Sequence, residues 1–424
     1  MTEIIIAIFL LCGGIVMTAK LHFFNPNVLL RAALHPFRKD KKQAGGVSPF
    51  AALCTALGGC VGTGNIIGVT ACIMSGGAGC VFWIWVCAFF SMATKYAEVY
   101  FAACVADENG RSSPLHYITK FLKKGGKWLG LTWCILLILS SLFSGASVQA
   151  NAISDAIVGV LPENAPLRSA RIFCGIALAV ITFVIIMGGF RRVSTISSAL
   201  LPPACIAYVA VCALCVMRSG ANVGLILKSI VFDAFSVKKA VLGGGAFAFL
   251  RSMRIGISCG IFSNEAGMGT SPLALCETDA DARKKAGLGL WEIFIDTFVV
   301  CTSTAFLVLS CVGDLNAFSS PTAAVTQAVS VVLGERVGAI FLAVCMMLFA
   351  YTSIIGRSYY GTYGCELLFG KKKFALLYKV IFCIMVFGGC LFPLGVIWDL
   401  AATFNMVLAV PNVCALLMIG RLKK

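Results

Sequence analysis

Long apolar runs separated by short polar segments dominate the pattern of this chain. An apolar helix of about 20 residues spans the hydrocarbon core of a bilayer. The pattern therefore predicts an all-α integral membrane protein with about eleven transmembrane helices. The predicted spans are residues 4–20, 49–76, 79–105, 128–160, 170–189, 193–217, 241–270, 286–312, 336–365, 374–392 and 395–420. Two amphipathic stretches, 112–124 and 321–333, are typical of helices that lie at the membrane interface or cap a bundle.

The composition agrees with this interpretation and excludes two other classes. Hydrophobic residues make up 59% of the 424 residues and charged residues only 12%, which is too apolar for a soluble protein of this size. The formal net charge of +16 would suit nucleic-acid binding. Lysine and arginine lie instead in short clusters between the apolar runs, as in cytoplasmic loops, so we expect no nucleic-acid partner.

The distribution of lysine and arginine also predicts the orientation of the chain. Cytoplasmic loops of membrane proteins carry an excess of these residues. With the N-terminus outside, 22 of them fall in cytoplasmic segments and 7 in exterior segments. We therefore expect a multi-pass protein of the plasma membrane, with an exterior N-terminus and a cytoplasmic C-terminus.

The predicted spans fall into two similar halves. Spans two to six and spans seven to eleven each begin with a glycine-interrupted span, and an amphipathic stretch follows the first pair of each half. Because five is an odd number, the halves must insert with opposite orientations, which is the inverted repeat of many secondary transporters. The predicted divisions are an extra N-terminal helix with its cytoplasmic loop (1–46), a first repeat (47–217), an extracellular connection (218–240) and a second repeat (241–424).

The first interrupted span contains the run Gly58–Gly59–Cys60–Val61–Gly62–Thr63–Gly64–Asn65. Each glycine within a helix costs about 1 kcal/mol relative to alanine, so this run predicts an unwound segment. Unwound backbone at membrane depth is tolerated where it lines a cavity. Its amide N–H groups would suit a carboxylate and its carbonyl groups would suit Na⁺. The alternative is a glycine face that lets two helices pack closely.

The second interrupted span contains Gly260 and then Ser263–Asn264–Glu265–Ala266–Gly267–Met268–Gly269. A glutamate within an apolar span is costly, which makes Glu265 a candidate for function. The alternative is a structural role, in which Glu265 caps the second half-helix and pairs locally with Arg251 or Arg254.

Three further polar residues lie in apolar spans, each with two interpretations. Gln149 suits either substrate binding or hydrogen bonding between helices. The hydroxyl groups of Thr352 and Ser353 suit either Na⁺ or hydrogen bonds within their own helix.

Charged residues within the spans form two groups. Lys95 and Glu98, which are spaced i, i+3, predict a structural ion pair. Glu292 and Asp296, which are spaced i, i+4, would repel each other without a partner or a cation. Asp296 and Glu265 are also the candidates for proton coupling.

Together these residues resemble the alanine or glycine:cation symporter family, also called the sodium:alanine symporters. Matching motifs run along nearly the whole chain, and the most specific is the run Ser263 to Gly269. The other motifs are Gly62–Thr63–Gly64–Asn65–Ile66, Met92–Ala93–Thr94–Lys95–Tyr96–Ala97–Glu98, Gly188–Gly189–Phe190–Arg191–Arg192, Asp296–Thr297 and Phe404–Asn405. The resemblance implies a leucine-transporter-like fold, which is a 5+5 inverted repeat with two discontinuous helices, plus one extra N-terminal helix.

The resemblance also implies a binding site for a small amino acid, such as alanine or glycine, together with Na⁺ and without an organic cofactor. The substrate would be bound by Gly62, Thr63, Gly64, Asn65, Gln149, Gly260 and Phe262. Na⁺ would lie between the carbonyl groups of Gly58 and Val61 and the hydroxyl groups of Thr352 and Ser353.

The chain departs from the family pattern at two positions near this site. The family often has tryptophan where this chain has Arg357, and often has glutamate where it has Thr362. Arg357 shares a helix face with Ser353, which makes it a further candidate for substrate binding. Its guanidinium would occupy the cation site, contact a second carboxylate of an acidic substrate, or extend toward the cytoplasm.

We therefore expect a secondary active transporter, not an enzyme, that imports a small neutral amino acid with Na⁺ by alternating access. The alternative is a Na⁺-independent or proton-coupled transporter of the same fold with an altered substrate, such as an acidic amino acid, because of Arg357. A channel would need a continuous polar pore, and an enzyme would need a nucleophile with its base or a cluster of metal ligands. The sequence indicates neither.

Overall fold

The computed structural model describes residues 2–37, 47–106, 112–122, 124–162, 165–235, 245–392 and 395–419. Every regular element in these ranges is a helix. The α-helical elements, numbered in chain order, are α1 (Thr2–Lys20), α2 (Pro26–Leu34), α3 (Pro49–Cys60), α4 (Ile67–Gly76), α5 (Gly79–Ala103), α6 (Pro114–Phe121), α7 (Gly126–Val158), α8 (Leu167–Met187), α9 (Gly189–Arg218), α10 (Val223–Phe235), α11 (Gly245–Asn264), α12 (Ser271–Leu275), α13 (Ala282–Cys311), α14 (Pro321–Leu333), α15 (Glu335–Phe369), α16 (Lys372–Leu391) and α17 (Gly395–Met418). Short 3₁₀ turns cover His35–Phe37, Thr63–Asn65 and Leu315–Ala317.

Most of the spans predicted from the sequence coincide with helices. Among the described residues, eight helices are long and apolar enough to cross a membrane, or nine if α3 and α4 are counted as one bent span. The apolar part of α1, Ile5–Lys20, is shorter, and α11 is not among the eight. The chain is thus a multi-pass helical membrane protein, while the number eleven and the inverted repeat stay predictions.

The two amphipathic stretches also form helices, which are α6 and α14. The helix α10 lies within residues 218–240, where the sequence predicted only a connection between the two halves. It packs against α5, so this part of the chain belongs to the bundle.

Two long helices organise the bundle. The helices α1, α10, α11 and α13 pack against α5, whereas α3, α7, α9, α14 and α16 pack against α15. The first interrupted span joins these two groups, since α3 packs against α13 as well as α15, and α4 packs against α5 as well as α14. Its polar side chains, such as Thr55, Thr63 and Asn65, are buried.

The first interrupted span is broken, as its glycines predicted. The first half, α3, begins at Pro49 and is capped by Ser48, whose Oγ accepts a hydrogen bond from the amide of Ala51 at 3.2 Å. It ends at Cys60, and extended backbone at Gly62 (φ −146°) separates it from the next turn. The two halves are bent by 66° relative to each other.

The second interrupted span is broken after Asn264, where α11 ends. Left-handed backbone at Glu265 (φ 48°), Gly267 (φ 87°) and Gly269 (φ 73°) separates α11 from α12. Glycine adopts this conformation at little cost, whereas glutamate does not. A methyl group on Gly269 would also lie 2.3 Å from Cγ of Pro114, so only glycine fits there.

Two long helices contain a π-helical segment that the sequence pattern did not predict. It covers Ser141–Val148 in α7 and Phe294–Cys301 in α13. Such segments widen the helical turn and are frequent at functional sites. The first leads directly into Gln149 and the second contains Asp296, and both of these side chains are buried.

We predict that Gly389→Ala destabilises the protein, because α16 packs on the backbone of the π-helical segment of α7 at this glycine. A methyl group on Gly389 would lie 2.4 Å from the carbonyl oxygen of Ser147, which is backbone and cannot turn away. Overpacking of this kind costs about 1–3 kcal/mol. The midpoint of thermal unfolding in detergent should fall.

The neighbouring glycine provides the control. A methyl group on Gly388 would meet only the ring of Phe392, at 3.9 Å, which is an ordinary contact. Gly388→Ala should therefore leave the unfolding midpoint unchanged or slightly raised, and equal effects of the two substitutions would contradict the packing described here.

Candidate transport site

The residues predicted to bind Na⁺ lie together, at the contact between α3 and α15. A methyl group on Gly58 would lie 3.1 Å from Cβ of Thr352, so the two helices are in close contact there. The hydroxyl of Ser353 donates to the carbonyl of Gly59 at 3.3 Å. Val61 directly follows α3 and has extended backbone, so its carbonyl group belongs to the break. One hydroxyl of α15, that of Ser353, thus contacts a carbonyl near the end of α3, whereas the hydroxyl of Thr352 donates within its own helix, to the carbonyl of Phe349 at 2.9 Å.

The residues predicted to bind the substrate carboxylate form the turn after this point. Asn65 closes the turn, because its Oδ1 accepts from the amide of Gly62 at 2.9 Å. The amides of Thr63 and Gly64 donate to no acceptor within the described ranges. Two N–H groups at the start of the second half-helix are therefore open for an anion.

Gln149 and Phe262 border the same turn from two other helices. A methyl group on Gly62 would lie 3.3 Å from Oε1 of Gln149, and one on Gly64 would lie 3.6 Å from the ring of Phe262. Oε1 of Gln149 is buried and has no hydrogen-bond partner among the described residues. It is therefore an acceptor that a ligand could use.

The surroundings of Gly260 differ from those of the residues in the turn. A methyl group at this position would lie 2.9 Å from Cβ of Cys87, so Gly260 allows α11 to pack closely on α5. The structure thus gives this glycine a packing contact, and its role in substrate binding stays a prediction.

A cavity of about 730 Å³ reaches this turn. Its walls come from the first break and from the helices α7, α14 and α15. Residues that line it include Thr63, Ile67, Gly68, Val148, Asn151, Asp155, Thr322, Thr326, Leu342 and Met346. Of the residues predicted to bind the substrate, Thr63 is the one that lines this cavity within the described ranges.

Side chains occupy several backbone groups of the second break. The amide of Gly269 donates to Oε2 of Glu98 at 3.1 Å. The carbonyl of Gly267 accepts from Nδ2 of Asn412 at 2.8 Å, and that of Met268 accepts from Nε1 of Trp133 at 2.8 Å. These three groups are closed to a ligand, but the amides of residues 265–267 donate to no acceptor within the described ranges, like those of Thr63 and Gly64.

Comparison with known proteins identifies the family of the chain. A sequence profile of the sodium:alanine symporter family matches residues 1–424. The chain belongs to this family. A relative from Methanococcus maripaludis, the sodium/alanine symporter AgcS, is 33% identical over 97% of this chain and 91% of its own length. A probable sodium/glutamine symporter from Bacillus subtilis, GlnT, is 30% identical over 98% of this chain and 86% of its own length.

The fold is also found among solved structures. MhsT in complex with L-phenylalanine superimposes with a TM-score of 0.63 at 16% sequence identity, covering 89% of each chain. This likeness shows the leucine-transporter fold. The resemblance drawn from the sequence is thereby confirmed, and this member of the sodium:alanine symporter family is a secondary amino-acid transporter of the membrane, not an enzyme.

Glu265 in this symporter has a distant partner, which corrects one prediction. The sequence suggested a local pair with Arg251 or Arg254, but both of these are exposed. Glu265 instead forms a buried ion pair with Arg357 on α15. Its other oxygen, Oε2, accepts from the hydroxyl of Thr270 at 3.1 Å.

Arg357 is fixed by three elements besides its own helix. Nη2 pairs with Glu265, while Nη1 donates to Oγ of Ser140 at 3.2 Å and to Oδ1 of Asn405 at 3.1 Å. Within the part of the chain that the structure describes, it makes no hydrogen bond to Thr352 or Ser353. Arg357 is 4% exposed, so its side chain lies inside the bundle and does not extend to the surface.

Lys95 has a closer ion-pair partner than the one that its sequence spacing predicted. Its Nζ lies 4.0 Å from Glu98, as expected for an i, i+3 pair, but 3.1 Å from Glu292 on α13. It also donates to Oγ of Ser271 at 2.8 Å, at the start of α12. The repulsion expected at Glu292 is therefore relieved by a lysine that lies far away in the sequence.

We predict that removing either charge of the Arg357–Glu265 pair destabilises the symporter more than removing both. Arg357→Met and Glu265→Gln each leave an unpaired buried charge, which costs about 3–5 kcal/mol. The double variant leaves none. Because the double variant then costs less than either single variant, thermal unfolding of the three variants in detergent should show a coupling energy of at least about 3 kcal/mol.

The exposed pair between Arg171 and Asp155 provides the control, since its side chains are 29% and 55% exposed. The same cycle there should give a coupling energy of about 0–1 kcal/mol. Additive effects at Arg357 and Glu265 would contradict the buried pair.

Proposed function

We propose that this symporter imports a small neutral amino acid, such as alanine or glycine, together with Na⁺ by alternating access. One observation carries this proposal: the amides of Thr63 and Gly64, which have no acceptor among the described residues, lie beside the unpaired side-chain oxygen of Gln149 and just after the contact between Ser353 and Gly59. The names of the relatives, a sodium/alanine and a probable sodium/glutamine symporter, support the same conclusion.

The substrate carboxylate would bind the amides of Thr63 and Gly64. Both groups lie at the start of a half-helix, where the helix dipole favours negative charge. The ammonium group would donate to Oε1 of Gln149, which has no other partner among the described residues. The ring of Phe262 approaches Gly64, so the space for a side chain is small.

Na⁺ would bind at the end of α3, with the carbonyls of Gly58 and Val61 and the hydroxyls of Thr352 and Ser353 as ligands. The C-terminal end of a half-helix favours a cation. Because Gly58 and Val61 come just before the substrate turn in the chain, an ion there would fix the turn that binds the carboxylate, and ion and substrate would each raise the affinity for the other.

The charge of Arg357 is matched by Glu265, which favours a neutral substrate over an acidic one. A second carboxylate on the substrate would have to displace Glu265 from the guanidinium. We therefore prefer the Na⁺-coupled carrier to the alternative with an acidic substrate. An inward Na⁺ gradient across the plasma membrane would make this transport an import.

Uptake of labelled alanine into proteoliposomes tests this function. We expect an inward Na⁺ gradient to drive accumulation, and replacement of Na⁺ by choline to abolish it. Ser353→Ala removes one proposed ligand and should raise the Na⁺ concentration needed for half-maximal uptake.

Ser358→Ala is the matched control, because Ser358 lies on the same helix and its hydroxyl donates only to the carbonyl of Ile355 among the described residues. It should keep the Na⁺ dependence of the wild type. Uptake that ignores Na⁺, or equal effects of the two substitutions, would contradict the proposed cation site.

Gln149→Ala tests the substrate contact. A hydrogen bond to a charged group contributes about 1.5–3 kcal/mol, so alanine affinity should fall by about 10- to 100-fold. Binding to purified protein, measured by calorimetry at saturating Na⁺, provides the readout. Gln327→Ala, at an exposed glutamine of α14, should leave the affinity unchanged. Unchanged affinity in Gln149→Ala would remove this residue from the site.

A further inference from the structure

A second cavity, of about 340 Å³, lies toward the other end of α15 from the first. The cavity of about 730 Å³ meets α15 at Met346, whereas this one meets it at Tyr359 and Glu366. Because an α-helix rises about 1.5 Å per residue, Ser353 lies about 10 Å from Met346 and about 9 Å from Tyr359 along the helix axis. The proposed transport site therefore lies between the two cavities.

The predicted orientation places the smaller cavity on the cytoplasmic side of the membrane. Phe190 lines it, and Arg191 and Arg192 follow directly in the chain. Lys379 on α16 also lines it, and the basic run 371–373 lies at the start of that helix. Basic clusters of this kind mark cytoplasmic ends. An imported amino acid would therefore reach this cavity after it has left the central site.

Charges of both signs line this smaller cavity. Glu277 follows α12, Glu366 lies on α15 and Lys379 lies on α16, and all three side chains are half-buried. The hydroxyl of Tyr359 donates to Oε1 of Glu277 at 2.6 Å. A free amino acid carries the complementary pair of charges, a carboxylate and an ammonium group. The cavity also has the size of a small-molecule site, which is about 300–1,000 Å³.

No structural role within the described residues accounts for Lys379. It lies in the apolar sequence of α16, where a lysine is costly and often marks the path of a substrate. Among the described residues its Nζ forms no ion pair and no hydrogen bond. A lysine that extended to the membrane surface would be exposed, as the lysines 371–373 are, whereas Lys379 is half-buried at the cavity.

Contacts of α15 with the two broken helices lie between the central site and this cavity. Arg357 pairs with Glu265 of the second break. Tyr360 packs on α3, since a methyl group on Gly59 would lie 3.1 Å from its ring. An amino acid that leaves the central site in this direction passes these contacts, and the charged cavity is the next polar space that it meets.

We propose that this cavity is a second binding site for the transported amino acid, in which Lys379 binds the carboxylate and Glu366 and Glu277 bind the ammonium group. This inference rests on the proposed function for the identity of its ligand. The site needs no Na⁺, because the proposed Na⁺ ligands lie beyond Arg357, at Ser353 and the end of α3. Its role is to receive the amino acid when the central site opens toward the cytoplasm.

Binding of alanine to the purified full-length symporter without Na⁺ tests this inference. K⁺ replaces Na⁺, since a metal ion brings no organic ammonium group to the cavity. The central site then has little affinity, and ligand-detected nuclear magnetic resonance measures the weak binding that remains. We expect equal binding in the wild type and in Gln149→Ala, and binding at least about tenfold weaker in Lys379→Gln, which loses a hydrogen bond from a charged group.

Lys372→Gln is the matched control, because it neutralises an exposed lysine of the same helix that does not line the cavity. It should bind alanine like the wild type. Ethylamine and propionate, which each lack one charged group of alanine, should bind to the wild type at least about tenfold more weakly than alanine. This comparison of probes decides the question if Lys379→Gln does not fold.

Three results would overturn the inference and leave the proposed function standing. They are no alanine binding to the wild type in K⁺, equal binding in Lys379→Gln, and ethylamine binding as tight as that of alanine. The same measurement in Na⁺ tests the proposed function separately, because the central site should add a tighter component that Gln149→Ala weakens. Absence of this component would overturn the proposed function, and with it the identity of the ligand.

Discussion

The bilayer supplies no water to hydrogen-bond an interrupted helix, and this constraint shapes the whole molecule. Each of the two breaks must find partners on other helices. At the second break Glu98, Trp133 and Asn412 satisfy one amide and two carbonyls of residues 267–269. At the first, Asn65 satisfies only one amide, and the next two stay open. We propose that these two amides bind the substrate, because the unpaired side-chain oxygen of Gln149 lies beside the same turn.

Buried charges connect these breaks to the rest of the bundle. Arg357 on α15 forms an ion pair with Glu265 in the second break. Lys95 on α5 donates to Ser271 at the start of α12 and pairs with Glu292 on α13. A buried ion pair is weak evidence for stability, because both ions lose their hydration when they are buried. Removing one partner is nevertheless costly, because the remaining buried charge is then unpaired. Such pairs therefore favour a few well-defined arrangements of the broken helices, which suits a carrier that alternates between states.

The sequence predicted what depends on neighbouring residues and missed what depends on distant ones. The glycines around Gly62 revealed the first break, since each weakens the helix locally. The partner of Glu265 was predicted among its sequence neighbours and was wrong, because Arg357 lies 92 residues away. The π-helical segments were not predicted, because one extra residue in a helical turn changes the spacing of apolar residues very little. The approach of Thr352 to α3 followed from the family resemblance, not from the periodicity of either helix.

The central claim is that Na⁺ and the substrate carboxylate bind next to each other at the first break. The dependence of alanine affinity on Na⁺ tests it most directly, because the proposed Na⁺ ligands at the end of α3 come just before the residues proposed to bind the carboxylate. Calorimetry on the purified protein would measure alanine binding at several Na⁺ concentrations, with choline keeping the ionic strength constant. The account predicts an affinity that rises with Na⁺ in the wild type, and a curve displaced to higher Na⁺ in Ser353→Ala. Alanine affinity that does not change between choline and Na⁺ would contradict it.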